Sequence, residues 1–80
     1  MNTKEAVAYR IKELCSQRGI TPNALSYRAA VPQSTIKSIL NDETKNPGVV
    51  TIKKLCEGLD ISLSDFFDTD IFRQLPQEIE

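Results

Sequence analysis

The sequence predicts an all-α fold, a compact five-helix domain followed by a short C-terminal tail. Three observations carry that prediction. Apolar residues recur at spacings of three and four, and no stretch alternates apolar with polar for long, so helices are expected and a sheet is not. Proline and glycine cut the chain into short segments. The 80 residues, 40% hydrophobic and 26% charged, suffice for one small core and are too apolar for a disordered chain.

Residues 4–18 form the first expected helix, with Val7, Ile11 and Leu14 on one face, and Gly19 ends it where a left-handed residue is needed. Thr21 then offers an N-cap hydroxyl and Pro22 a first helical residue, opening a helix over 22–29 that turns Leu25 and Ala29 inward. Ala30-Val31-Pro32 breaks the chain again. A third helix is expected over 33–41, with Ile36, Ile39 and Leu40 facing the core. Residues 41–48 are loop chemistry throughout. A fourth helix over 49–58 presents Ile52, Leu55, Cys56 and Leu59, with Gly58 expected as a fraying point or cap. Ser62, followed three residues later by Asp65, resembles a capping box and opens a fifth helix over 62–67. Residues 1–68 are read as the domain and 69–80 as an acidic, partly apolar tail interrupted by Pro76.

Composition excludes several kinds of chemistry. Cys15 and Cys56 lie far apart with no CxxC partner, and the chain has no histidine. Structural zinc wants four Cys or His ligands, and the common nucleophilic triads use histidine as base, so no metal, no cofactor and no enzymatic activity are expected. Both cysteines read as small buried apolar residues. No stretch approaches the roughly 20 apolar residues of a membrane span. The opening MNTKEAVAYR lacks the apolar block of a signal peptide, so a cytoplasmic protein with no membrane partner is expected.

The net charge of −1 conceals an asymmetry. Residues 1–56 carry nine basic side chains against four acidic ones, whereas residues 57–80 carry one against seven. A basic body with an acidic tail suggests one surface that faces a polyanion and another that faces away from it.

The most informative unit is a helix, a short turn and a second helix over residues 21–41. Gln33, Ser34, Lys37 and Ser38 lie near the start of the second helix, away from the Ile36–Ile39–Leu40 stripe. A DNA-reading helix enters the major groove with its first residues against base edges. A glutamine amide both donates and accepts, as the adenine edge requires, while a lysine serves a guanine or a phosphate. Any exposed helix face is polar, however, and spacing alone does not separate the two readings.

Residues 21–63, with the Arg10-Ile11-Lys12-Glu13-Leu14 helix before them, resemble the phage-repressor (Cro-like, xenobiotic-response-element) helix-turn-helix family. The matching positions are Leu25, Val31, Ile36, Pro47, Leu59, Ile61 and Leu63. Pro22 stands where the family usually has glutamine, Ser26 for an alanine, Leu40 for an acid, and Ala30 and Asp42 for glycines. At Ala30 the expectation is either a mildly strained left-handed residue or a different turn.

The resemblance implies a lambda-repressor-like fold. It also implies a small transcriptional regulator of double-stranded DNA, a repressor, from a bacterium or one of its mobile elements. Gln33, Ser34, Lys37 and Ser38 would read bases. Thr21, Asn23, Asn41, Thr44, Lys45 and Asn46 would hold phosphates, with Arg28, Lys53 and Lys54 as weaker candidates.

One such module contacts few phosphates, and relatives pair as two-fold dimers, so a homodimer is expected. Ile71, Phe72, Leu75 and Ile79 are the candidate pairing residues, unless the tail folds back over the body as Phe66 and Phe67 are expected to do. The pI of 5.4 and the acidic tail keep a second reading open. In that reading the same fold serves as a protein-interaction module or antitoxin-type adaptor, with a protein partner at the tail.

Overall fold

A computed structural model describes residues 1–44 and 46–79, in six helices: α1 (Thr3–Arg18), α2 (Pro22–Ala29), α3 (Gln33–Leu40), α4 (Val49–Gly58), α5 (Leu63–Phe67) and α6 (Asp70–Arg73). No strand occurs among the described residues. The sixth helix is a single turn inside the segment read as tail, too short to show an apolar repeat in sequence.

Helix starts follow local chemistry. Asn2 and Glu5 form a reciprocal capping box on α1: the Glu5 amide donates to Asn2 Oδ1 at 2.9 Å and the Asn2 amide to Glu5 Oε1 at 2.8 Å. At α2 the Thr21 hydroxyl accepts from the Ala24 amide, and at α5 the Ser62 hydroxyl accepts from the Asp65 amide.

The ends of α1 to α4 share one reversal. A residue at positive φ follows each helix, namely Gly19 (64°), Ala30 (54°), Asp42 (58°) and Asp60 (55°). The next residue's amide then reaches back to a carbonyl five positions earlier: Ile20 to Cys15, Val31 to Ser26, Glu43 to Ser38 and Ile61 to Cys56. Ala30 therefore keeps the left-handed turn of the helix-turn-helix without a glycine, at a cost of about 1 kcal/mol. Three of these reversals are closed by an apolar residue on the core, Ile20, Val31 or Ile61; in the fourth the corresponding residue is the exposed Glu43.

The core joins Val7, Ile11 and Leu14 of α1 to Leu25, Ile36, Ile39, Ile52, Leu55, Leu59 and Phe66. Each fully buried large aliphatic side chain contributes about 1.5–3 kcal/mol. Leu40 is half-buried against this cluster, and both cysteines lie within it. Helix α2 packs chiefly on α4. A Cβ on Gly58 would stand 2.9 Å from Ala29 Cβ and 3.0 Å from its amide nitrogen. The expectation of fraying or a cap at Gly58 is thus corrected: it is where two helix backbones touch, and the left-handed turn is made by Asp60.

Arg10 is buried, 8% exposed, and so is no part of the outward positive charge of the body. Its Nε donates to the Phe66 carbonyl at 2.8 Å and one terminal nitrogen to the Asp65 carbonyl at 3.1 Å; the other is 2.6 Å from Glu13. Both carbonyls lie at the C-terminal end of the short α5, where Asp65 also accepts from the Asp68 amide at 3.3 Å, and a cation is well placed there. Phe66, Phe67 and Phe72 form an aromatic cluster with centroids 4.9–6.0 Å apart, so Phe72 packs back on the core. Ile71 and Leu75 are half-buried and Ile79 is exposed.

Candidate nucleic-acid interface

Burying Ile36 and Ile39 against the core fixes the roll of α3 and therefore what it shows to solvent. The outward side chains are Gln33, Ser34 and Lys37, all exposed. Pro32 precedes the helix and offers no side-chain cap; the Thr35 and Ile36 amides both return to its carbonyl, which leaves Gln33 and Ser34 at the uncapped amino end of α3. With Pro22 and Asn23 at the start of α2, and with Leu40 and Asn41, these residues line a shallow concavity of about 560 Å³.

Five of the residues expected at a DNA surface, Asn23, Gln33, Ser34, Lys37 and Asn41, are thus brought together. Among the described residues, none of their side chains is engaged in a hydrogen bond or ion pair within the protein. Their donors and acceptors are available to a ligand.

The other candidates are placed differently. Ser38 is half-buried on the loop side of α3, where its hydroxyl faces Glu43 Oε2 at 3.5 Å and its carbonyl accepts from the Glu43 and Thr44 amides. The Thr21 hydroxyl is engaged as the α2 cap, which leaves its backbone end of the helix for an anion. Thr44 is half-buried and Asn46 exposed; Asn46 lines a second groove with the start of α1, Pro47 and Glu78 rather than the α2–α3 concavity. Lys45 lies outside the described residues. Arg28, Lys53 and Lys54 are exposed, with Lys53 3.9 Å from Glu57.

Lys4 was not marked by its sequence position, yet its Nζ donates to the Asp42 carbonyl at 3.0 Å, 38 residues away. Beside it the Thr3 hydroxyl donates to Glu78 Oε2 at 3.2 Å, so the tail returns to the start of α1.

Burial pushes the Cys15 and Cys56 thiols up from their ordinary range, which keeps them neutral and unreactive near neutral pH. Among the described residues no three His, Cys, Asp or Glu side chains converge, and no helix is long and apolar enough to cross a membrane.

Residues 10–70 match the Cro/C1-type HTH DNA-binding domain. The chain belongs to this family. The match takes in α2 and α3 whole, so the concavity above lies on the helix-turn-helix of a Cro/C1-type domain, and the fold is the lambda-repressor-like one.

Solved structures similar to this Cro/C1-type domain include prophage Lp1 protein 11, at 34% identity over 94% of this chain and 100% of that one, TM-score 0.82. An HTH_3 family transcriptional regulator from Vibrio cholerae is 29% identical over 85% of this chain and 38% of its own, TM-score 0.76. The restriction-modification controller protein C.Esp1396I shares the fold at 21% identity, over 89% of this chain and 87% of that one, TM-score 0.77. No curated protein matches the chain in sequence.

Proposed function

We propose that this protein is a small transcriptional regulator, a repressor, that binds specific double-stranded DNA by placing α3 in the major groove. The observation that carries the reading is the unengaged polar face of Asn23, Gln33, Ser34, Lys37 and Asn41 on the helix-turn-helix. Gln33, Ser34, Lys37 and Ser38 read base edges: the Gln33 amide suits adenine, and the Lys37 ammonium a guanine or a flanking phosphate. The amino end of α2 at Thr21 and Asn23, and Asn41, Thr44, Lys45 and Asn46 after α3, hold the phosphate backbone. The prophage and Vibrio cholerae neighbours support a regulator of bacterial or mobile-element source, and a DNA target of that kind places it in the cytoplasm.

One domain of this size neutralises few phosphates, so the working unit is a homodimer on half-sites about 10 base pairs apart. Residues 1–68 hold the DNA and residues 69–80 pair, through Ile71, Leu75 and Ile79, with Phe72 bracing them from the aromatic cluster. Sedimentation checks the pairing: wild type dimerises at micromolar concentration and the double variant Leu75→Asp, Ile79→Asp does not.

The functional test is selection of the full chain on a random duplex pool at about 0.15 M salt, the regime where non-specific binding is weak. Enrichment of a two-fold site is the expected result. A single half-site keeps the DNA reading and removes the dimer. No enrichment from folded protein removes the DNA reading and leaves the interaction-module alternative, with a protein partner for the acidic tail.

A further inference from the structure

We infer that Lys4, on α1 and outside the helix-turn-helix, is a positioning residue for DNA backbone contact: its ammonium locks the loop that follows the recognition helix. The inference rests on the DNA reading above. It adds a residue that touches neither base nor phosphate in that reading.

The argument begins with the four helix reversals. After α1, α2 and α4 the turn is closed by Ile20, Val31 and Ile61, each packed on the core, so hydrophobic burial holds the left-handed residue in place. After α3 the equivalent residue is Glu43, which is exposed and supplies no such closure. The left-handed residue there is Asp42, φ 58°, which lacks the conformational freedom of glycine. Three backbone bonds hold the turn, from the Glu43 and Thr44 amides to the Ser38 carbonyl at 2.8 and 3.2 Å and from the Asp42 amide to the Ile39 carbonyl at 3.3 Å. Lys4 adds a fourth, the one bond among them that reaches outside the α3 segment, from Nζ to the Asp42 carbonyl at 3.0 Å.

The bond is solvent-exposed, and its weight lies in what it joins: a charged donor ties the turn to α1, the longest helix. Asn41, Thr44 and Asn46, among the proposed phosphate contacts, flank this single pinned residue in the chain. Pinning Asp42 therefore removes loop freedom that DNA would otherwise have to remove on binding.

The test compares full-length Lys4→Met, which keeps an apolar stem and loses the donor, with Lys4→Arg, which retains a cationic donor. In the free protein, NMR hydrogen exchange at the Glu43 and Thr44 amides is expected to accelerate about tenfold in K4M and to return toward wild type in K4R, while Leu55 and Cys56 amides stay unchanged. On DNA, K4M is expected to bind its selected site and a random duplex about five-fold more weakly, by the same factor, with K4R restoring both. Unchanged exchange at Glu43 and Thr44 in K4M overturns the inference. So does equal acceleration at Leu55 and Cys56, which marks general destabilisation. Faster loop exchange with unchanged DNA affinity also overturns it, because the loop then needs no positioning. If wild type itself binds neither duplex, the DNA reading fails, the positioning role falls with it, and exchange alone reports whether Lys4 holds the turn.

Discussion

Where α1 meets α5 and α6, polar side chains are engaged within the protein. Arg10 reaches two α5 carbonyls and Glu13, Arg73 bridges Asp68 and Asp70, and Thr3 holds Glu78. On the outer face of α2 and α3 the side chains of Asn23, Gln33, Ser34, Lys37 and Asn41 have no such partner among the described residues. Both regions are polar, and the pairing separates them. A helix that needs only solvation can use opposite charges one turn apart, as Lys53 and Glu57 do on α4. The α3 row Gln33, Lys37, Asn41 instead presents amides and one cation with no acid among them. That pattern suits a surface that keeps its hydrogen bonds for another molecule.

The largest effect that tests this contrast comes from beneath the unengaged face. Gly58→Val forces side-chain atoms into the Ala29 backbone and is expected to destabilise by about 3 kcal/mol, read as a lower urea midpoint. Arg10→Met, on the engaged side, removes the charged donor from the Phe66 carbonyl and one of the two donors from that of Asp65, and is expected to cost about 2–3 kcal/mol by the same measurement. Gln33→Ala should leave stability alone and lower affinity by about 1–3 kcal/mol at one base step only. Equal losses on every sequence would show that Gln33 does not read bases. Ala30→Gly relieves a left-handed alanine and is expected to stabilise by about 0.5–1 kcal/mol with operator preference unchanged.

The smallest effect is that of pH. With no histidine, stability and DNA affinity should be flat between pH 6 and 8. Higher up, the thiols of the unfolded chain ionise while those of Cys15 and Cys56, raised by burial, do not. The folded state then binds more protons, and stability falls as pH rises past about 9.

What was legible in the sequence is local. Val7, Ile11 and Leu14 mark α1, Gly19 ends it, and Thr21-Pro22 opens α2, because each signal acts within a turn or two of itself. Asn2 and Glu5, three residues apart, form a capping box that starts α1 at Thr3, one residue before the expected range of 4–18. The roles of Arg10, Gly58 and Lys4 were not legible. Each depends on a backbone group far along the chain, Asp65 and Phe66, Ala29, and Asp42 respectively, and spacing carries no record of that proximity. At the interface, the outward set Gln33, Ser34, Lys37 followed from helical period, whereas the turn of Ser38 toward Glu43 is a property of the loop.

The contact between Gly58 and Ala29 also bears on how such a domain can change its target. With only the Ala29 methyl and backbone against the bare Gly58, there is no bulky side chain to trade for a smaller one, so closer approach of α2 to α4 has a hard stop. The turn at Ala30 hands that limit on to α3. If Gln33, Ser34 and Lys37 read bases as proposed, variation among them exchanges one recognised base for another while the helix keeps its aim. Target sequence then drifts by single side chains without refolding the reader.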